Sequence, residues 1–200
     1  MKNTREHILK IALGLFLSDS YKGVTLSRIV EATGMSKGAF YHYFKSKELL
    51  FEALIEAYYE DLMVVDYSSC SEESLYQFSQ DTLELVNRKA KAAEEFDYNI
   101  LVDRNYIFLM IEGARHFPAF LKKLAEHQAG EIRAWTRVVS IARAKGEISS
   151  PMSDEQISKL FIAVTDGVGI RIIMANGSVG AMLEEIRSIW DGIYNQLKTR

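Results

Sequence analysis

Proline and cysteine are nearly missing from this 200-residue chain: it holds Pro118, Pro151 and the single Cys70. One cysteine excludes a disulfide framework and suits a reducing compartment, so a cytoplasmic location is expected. With so few prolines, no repeat and no Gly/Pro-rich tract, nothing marks a flexible linker. No segment reaches the roughly 18 consecutive apolar residues of a membrane span; Asp166 and Arg171 interrupt the best candidate. The apolar stretch 11–17 faintly resembles a secretory leader, but Glu6, His7 and Lys10 precede it and no small-x-small cleavage site follows, so no leader is expected. The Asn176-Gly177-Ser178 sequon then reads as a turn. Catalytic patterns are also missing. There is no Gly-rich phosphate loop and no G-x-S-x-G, and Gly167-Val168-Gly169 is a bare G-x-G inside a helical pattern. His7, His42, His116 and His127 lack metal-ligand spacing. Neither an enzyme nor a metal or cofactor is expected.

What is present is helix. Hydrophobic residues make up 48% of the chain, enough for a real core. They recur with a 3.6-residue period in about nine segments, and no run alternates as a strand would. Thr4 is read as the cap of a first helix with the stripe Ile8, Leu9, Ala12, Leu15 and Phe16, leaving through a turn at 20–23. Later helices follow from Ser46 to about Val65, from Ser71 to about Lys91, around 100–111, from Ala119 to Gly146, from the capping box Ser153/Gln156 to Asn176-Gly177, and over 182–197. The fold class is therefore all-α.

Charge divides unevenly. Residues 1–47 carry eight basic groups against three acidic, a balance of +5, leaving −8 for the remainder. A basic head on an acidic body is the electrostatic footprint of a chain whose one end meets a polyanion.

The most informative stretch lies in that head, TLSRIVEATGMSKGAFYHYFKSK over residues 25–47. Thr25 is a good N-cap, Leu26, Ile29 and Val30 form a short buried stripe, and Gly34 supplies the left-handed stop. Ser36 caps the next helix, so two helices meet across a short Gly-containing turn, as in a helix-turn-helix. Phe40 and Phe44 share one face at i, i+4 and point inward, which turns Lys37, Gly38, Ala39, Tyr41 and His42 outward. Ser36 and Lys37 sit where the helix N-terminus favours an anion. Gly38 and Ala39 let the backbone approach a flat partner, and Tyr41 and His42 carry donors on rigid stems. A duplex, with its phosphates and readable base edges, fits that set. Lys47 opposes the dipole of the helix it opens, which a phosphate would offset.

The run GVTLSRIVEATGMSKGAFYHYFKSKELLFEAL resembles the DNA-binding segment of the tetracycline-repressor (TetR) family of bacterial transcriptional regulators. The shared features are the opening Thr, the A-x-x-G-hydrophobic-Ser turn and the aromatic ending before S-K-E-x-L. The resemblance implies phosphate contacts from Thr25, Tyr41 and Lys47, and places Ser36–Ala39 with His42 or Tyr43 over base edges. Ser27 also falls among the DNA-facing positions, though relatives can carry a longer side chain there. Residues 1–47 are thus expected to form the helix-turn-helix domain and 48–200 a helical effector-binding and dimerisation domain.

Two features of the body extend this reading. The last two helices carry apolar residues on more than one side; Phe161, Val164, Val168, Ile172, Met182, Ile186, Ile189, Trp190 and Ile193 are read as a homodimer interface, with a monomeric core as the alternative. The middle helices are rich in aromatic residues and sulfur, which suits a small, largely apolar effector; Phe78, Arg104, Tyr106, Met110, Phe117, Gln128 and Trp135 are the candidate contacts, or else plain core. The expected function is a ligand-responsive repressor that binds palindromic double-stranded operator DNA as a homodimer, independent of membranes. The alternatives are a dimeric small-molecule binder without operator function, or an all-helical enzyme.

Overall fold

The computed structural model describes residues 2–94 and 104–199, apart from the side chains of 2, 3, 61–63, 93, 94 and 104. Among them are nine α-helices: α1 (Lys2–Gly23), α2 (Leu26–Thr33), α3 (Lys37–Tyr43), α4 (Lys47–Met63), α5 (Leu75–Glu94), α6 (Arg104–His116), α7 (Pro118–Ala144), α8 (Asp154–Met174) and α9 (Val179–Leu197). The all-α class holds. The β-type pairing seen among the described residues is one bridge, Ile148 to Lys198.

The helix ends follow the local chemistry. The hydroxyls of Thr25, Ser36, Ser153 and Ser178 each accept a backbone N–H in the first turn they cap. At Ser153 the reciprocal bond from Gln156 completes a capping box. Helix α8 closes with Asn176 in the left-handed region (φ 54°) and Gly177 N–H donating back to Ile172 O at 2.8 Å. Three expected starts are corrected. Helix α1 begins before Thr4, at Lys2, and α5 is capped by Ser74, whose hydroxyl takes the Gln77 N–H at 2.9 Å, rather than by Ser71. The Glu147 carboxylate also takes N–H groups of Leu75 and Tyr76, so a distant acid completes the start of α5. Helix α7 opens on Pro118, whose missing N–H costs nothing at a first helical position.

The chain forms two compact units. The first is Met1–Met63 with Arg104–Leu124; the second is Val64–Asp103 with Ala125–Arg200. This cut by compactness adds α4, α6 and the start of α7 to the first three helices, with α1 packed on both α4 and α6. In the first unit Phe16 and Phe51 meet edge-on at 5.0 Å, and Ile8, Ile29, Phe40 and Leu54 are fully buried. Gly113 of α6 lies so close to Ile55 of α4 that a Cβ there would collide with its side chain. In the second unit Trp135 sits between Phe78, Phe161 and Trp190, each ring 4.9–5.1 Å away, and the Trp190 indole N–H donates to Phe161 O at 3.0 Å.

Candidate nucleic-acid interface

Helices α2 and α3 are held from behind and presented in front. Ile29 and Val30 of α2 and Phe40 and Phe44 beside α3 are buried, so hydrophobic burial fixes the orientation of both helices. Gly34 adopts φ 66°, which a residue with a Cβ enters only with strain, and lets the chain turn between them. Thr33 Oγ1 donates to Val30 O at 2.7 Å and accepts from Met35 N–H at 3.4 Å, fastening the turn from inside.

The front is open. Thr25, Ser27, Ser36, Lys37, Gly38, Ala39, Tyr41 and His42 are all exposed, and Tyr43 is half-buried with its ring edge-on to His42. A Cβ on Gly38 would meet nothing within 4 Å, so the backbone at that point is free for close approach. The structure thus leaves the expected set accessible on the first unit, with Lys47 as the exception in character. Its Nζ donates to Tyr21 O and Val24 O, both at 3.0 Å, and lies 4.2 Å from the Tyr21 ring centroid. Two carbonyls at the end of α1 thus offset the helix dipole that the sequence left to a phosphate. The Tyr21 hydroxyl donates to Glu48 at 3.3 Å; burial, then the Glu48 charge, pushes its acidity below that of ordinary tyrosine.

Three exposed cations of the same unit were missed by motif reading. Arg28, in the first turn of α2, pairs with Asp19 at 2.7 Å; Lys45 follows α3; and Arg5 lies over the Phe44 ring at 5.5 Å. Their basic character was legible, but nothing in the pattern placed them beside α3.

The other two sets are placed as follows. Phe161, Val168, Ile172, Met182, Ile186 and Trp190 are at most 9% exposed within one chain, because they form the seam between α8 and α9. Val164 and Ile193 are half-buried. The apolar residues α8 leaves outside are Leu160, Ala163, Gly167, Ile170 and Met174, with Ile170 and Met174 more than half exposed; α9 leaves Ile189 and Gly192 outside. The effector candidates are not gathered in one unit. Phe78 and Trp135 are packed core of the second, where Gln128 is exposed; Tyr106 is fully buried in the first, with Met110 and Phe117 half-buried. The side chain of Arg104, like Phe96 and Tyr98 in the aromatic middle, lies outside the described residues.

Comparison with known proteins bears on the whole arrangement. Residues 8–54 match the profile of bacterial regulatory proteins of the tetR family. The chain is 29% identical over 190 residues to the HTH-type transcriptional repressor AcnR of Corynebacterium glutamicum, covering 95% of this chain and 92% of that one. Over 57 residues, 28% of this chain and 29% of the relative, it is 40% identical to the HTH-type transcriptional repressor NemR of Escherichia coli. A crystal structure of a TetR transcription regulator from Haloarcula marismortui shares the fold over the full length of both chains, with a TM-score of 0.68 at 16% identity. With its capped helix pair and its aromatic anchor, the chain carries over residues 8–54 the segment that marks bacterial regulatory proteins of the tetR family.

Proposed function

We propose that this chain is a homodimeric transcriptional repressor that binds a palindromic operator and is released by a small-molecule effector. The observation that carries the reading is the α3 surface: Ser36–Ala39, Tyr41 and His42 stand exposed on a helix whose aromatic back is locked in the core. AcnR and NemR, by their names transcriptional repressors, support the same reading.

In this reading residues 1–47 read DNA and 48–200 carry dimerisation and the effector response. Thr25, Tyr41 and the third N–H of Lys47 take phosphates, while Lys37, Gly38, Ala39 and His42 lie over base edges. The exposed stripe of α8, with Ile189 and Gly192 of α9, packs against a second copy. A two-fold dimer then sets two α3 helices at half-sites about 34–36 Å apart or a multiple of it. An effector that binds better when that spacing is wrong shifts the population away from DNA. The protein acts without a catalytic step, a cofactor or a metal, in the cytoplasm; among the described residues no helix can cross a membrane.

Selection from a random-sequence duplex pool, followed by titration at several salt concentrations, tests this. Enrichment of a palindrome and a steep salt slope are expected. Retention of no sequence at low ionic strength would favour a dimeric small-molecule binder instead.

A further inference from the structure

The first unit contains a cavity that the DNA-reading surface does not use. It measures ≈ 350 Å³ and lies between the C-terminal part of α1, residues 16–21, and α6, within the lower range of small-molecule sites. Its apolar wall is Phe16, Leu17 and Leu109, all at most 6% exposed, and Phe108 stands at its edge 54% exposed. A large aromatic side chain left in solvent at the mouth of an apolar cavity is a surface a ligand would cover.

The polar lining is one-sided. Among the described residues that line the space, Asp19 and Glu112 contribute carboxylates and there is no lysine or arginine. Asp19 is engaged by Arg28. Glu112 is less well satisfied: its buried Oε2 makes no hydrogen bond, and its ion-pair contact is His116 Nε2, 3.2 Å away.

Ser20, also in the lining, departs from helix with φ 61° and ψ 170°, a region essentially reserved for glycine. Such strain persists only where the surroundings impose it, and it concentrates at ligand clamps. Here the imposing contacts are visible. Lys47 grips the carbonyls of Tyr21 and Val24 just after the kink, and Thr25 begins α2 immediately beyond.

From the cavity, the one-signed lining and the kink we infer that the α1–α6 cleft binds a small organic cation, an ammonium group on an aromatic or aliphatic body. The ammonium meets Glu112 and the body lies on Phe108 and Leu109. Occupancy sets the bend at Ser20 and so the angle at which α1 delivers the chain to α2. The site is lined by residues of the first unit, and its effect on DNA rests on the repressor reading above.

The test uses the full chain with 2-phenylethylammonium as probe and 2-phenylethanol as its uncharged counterpart, followed by amide chemical shifts. Saturable shifts at residues 16–21 and 105–112 are expected, with the ammonium binding about tenfold or more tightly than the alcohol, as a charge-assisted contact requires. Glu112→Gln should remove that preference, and Phe108→Ala, at an exposed position that leaves the fold intact, should weaken both probes. Equal affinities for the two probes, a preference that survives Glu112→Gln, shifts confined elsewhere, or no shifts at all would each overturn the site. In a second arm, Ser20→Gly should bind the probe as wild type does, while the probe no longer alters affinity for the selected duplex. An unchanged probe effect in Ser20→Gly would overturn the coupling through the kink. Failure of wild type to bind DNA would sink the repressor reading and leave the first arm to decide the cavity.

Discussion

Helix pairs α2–α3 and α8–α9 are built by the same rule and differ in what they leave to solvent. Each pair hides an apolar back: Ile29, Val30 and Phe40 in one, Phe161, Ile186 and Trp190 in the other. Outside, α3 shows the small residues Gly38 and Ala39 beside Lys37, whereas α8 shows Leu160, Ile170 and Met174. An exposed face with small residues and positive charge suits a polyanion, and an exposed apolar stripe suits another apolar surface. The lesson is that a partner is read from the residues a helix fails to bury, never from the most hydrophobic ones it contains.

The comparison breaks most visibly at the seam. Trp190→Ala should destabilise the chain by about 3–5 kcal/mol, since it empties a packed aromatic cluster and removes the indole N–H that donates to Phe161 O. Chemical denaturation measures this, and an unchanged midpoint would show that the seam is not core. On the outer stripe the opposite pattern is expected. Ile170→Glu combined with Met174→Glu should leave monomer stability nearly intact, yet separate the subunits and lower operator affinity about 100-fold through lost bivalency. Sedimentation with DNA titration reads both effects; a charged stripe that still dimerises would move the interface elsewhere.

Smaller effects sharpen the contrast inside the first unit. Gly113→Ala forces a Cβ against Ile55 and should cost about 1–3 kcal/mol in stability. Lys37→Ala should relax sequence preference at one base position by about 1–3 kcal/mol. Lys47→Ala should instead weaken binding to every sequence and lower the salt slope by about one, while also loosening the end of α1. A slope left unchanged would assign Lys47 wholly to its two carbonyls.

The smallest effect concerns pH. Burial, helped by the like charge of Asp166, holds the Glu131 carboxyl above its ordinary pKa, against the opposing effect of the hydrogen bond Tyr67 donates to it at 2.5 Å. A carboxyl raised in the folded state favours the protonated form there, so its share of stability is present below the ordinary carboxylate pKa and falls as pH rises through the folded one. Glu131→Gln should flatten that fall and raise the melting temperature at neutral pH. Thermal scans across the acidic range decide it; identical profiles for both proteins would remove Glu131 as the cause.

By itself the sequence determined most features that depend on near neighbours along the chain, the starts of α1, α5 and α7 excepted. Thr25, Gly34 and Ser36 set the turn, Phe40 and Phe44 set which face of α3 is outward, and Ser153 with Gln156 started α8, because caps, left-handed stops and i, i+4 pairs close within one helical turn. Tertiary structure alone decided which of two apolar edges of α8 meets α9, where Lys47 spends its donors, and which unit each aromatic residue joins. Those outcomes depend on residues far apart in the chain, such as Trp190 against Phe161 or Lys47 against Tyr21. A periodic pattern shows that a face will be buried but carries no information on what covers it. The strained bend at Ser20 belongs to the same class: nothing around it in sequence demands that conformation, and the contacts just beyond it, Lys47 on the carbonyls of Tyr21 and Val24, span more than twenty residues.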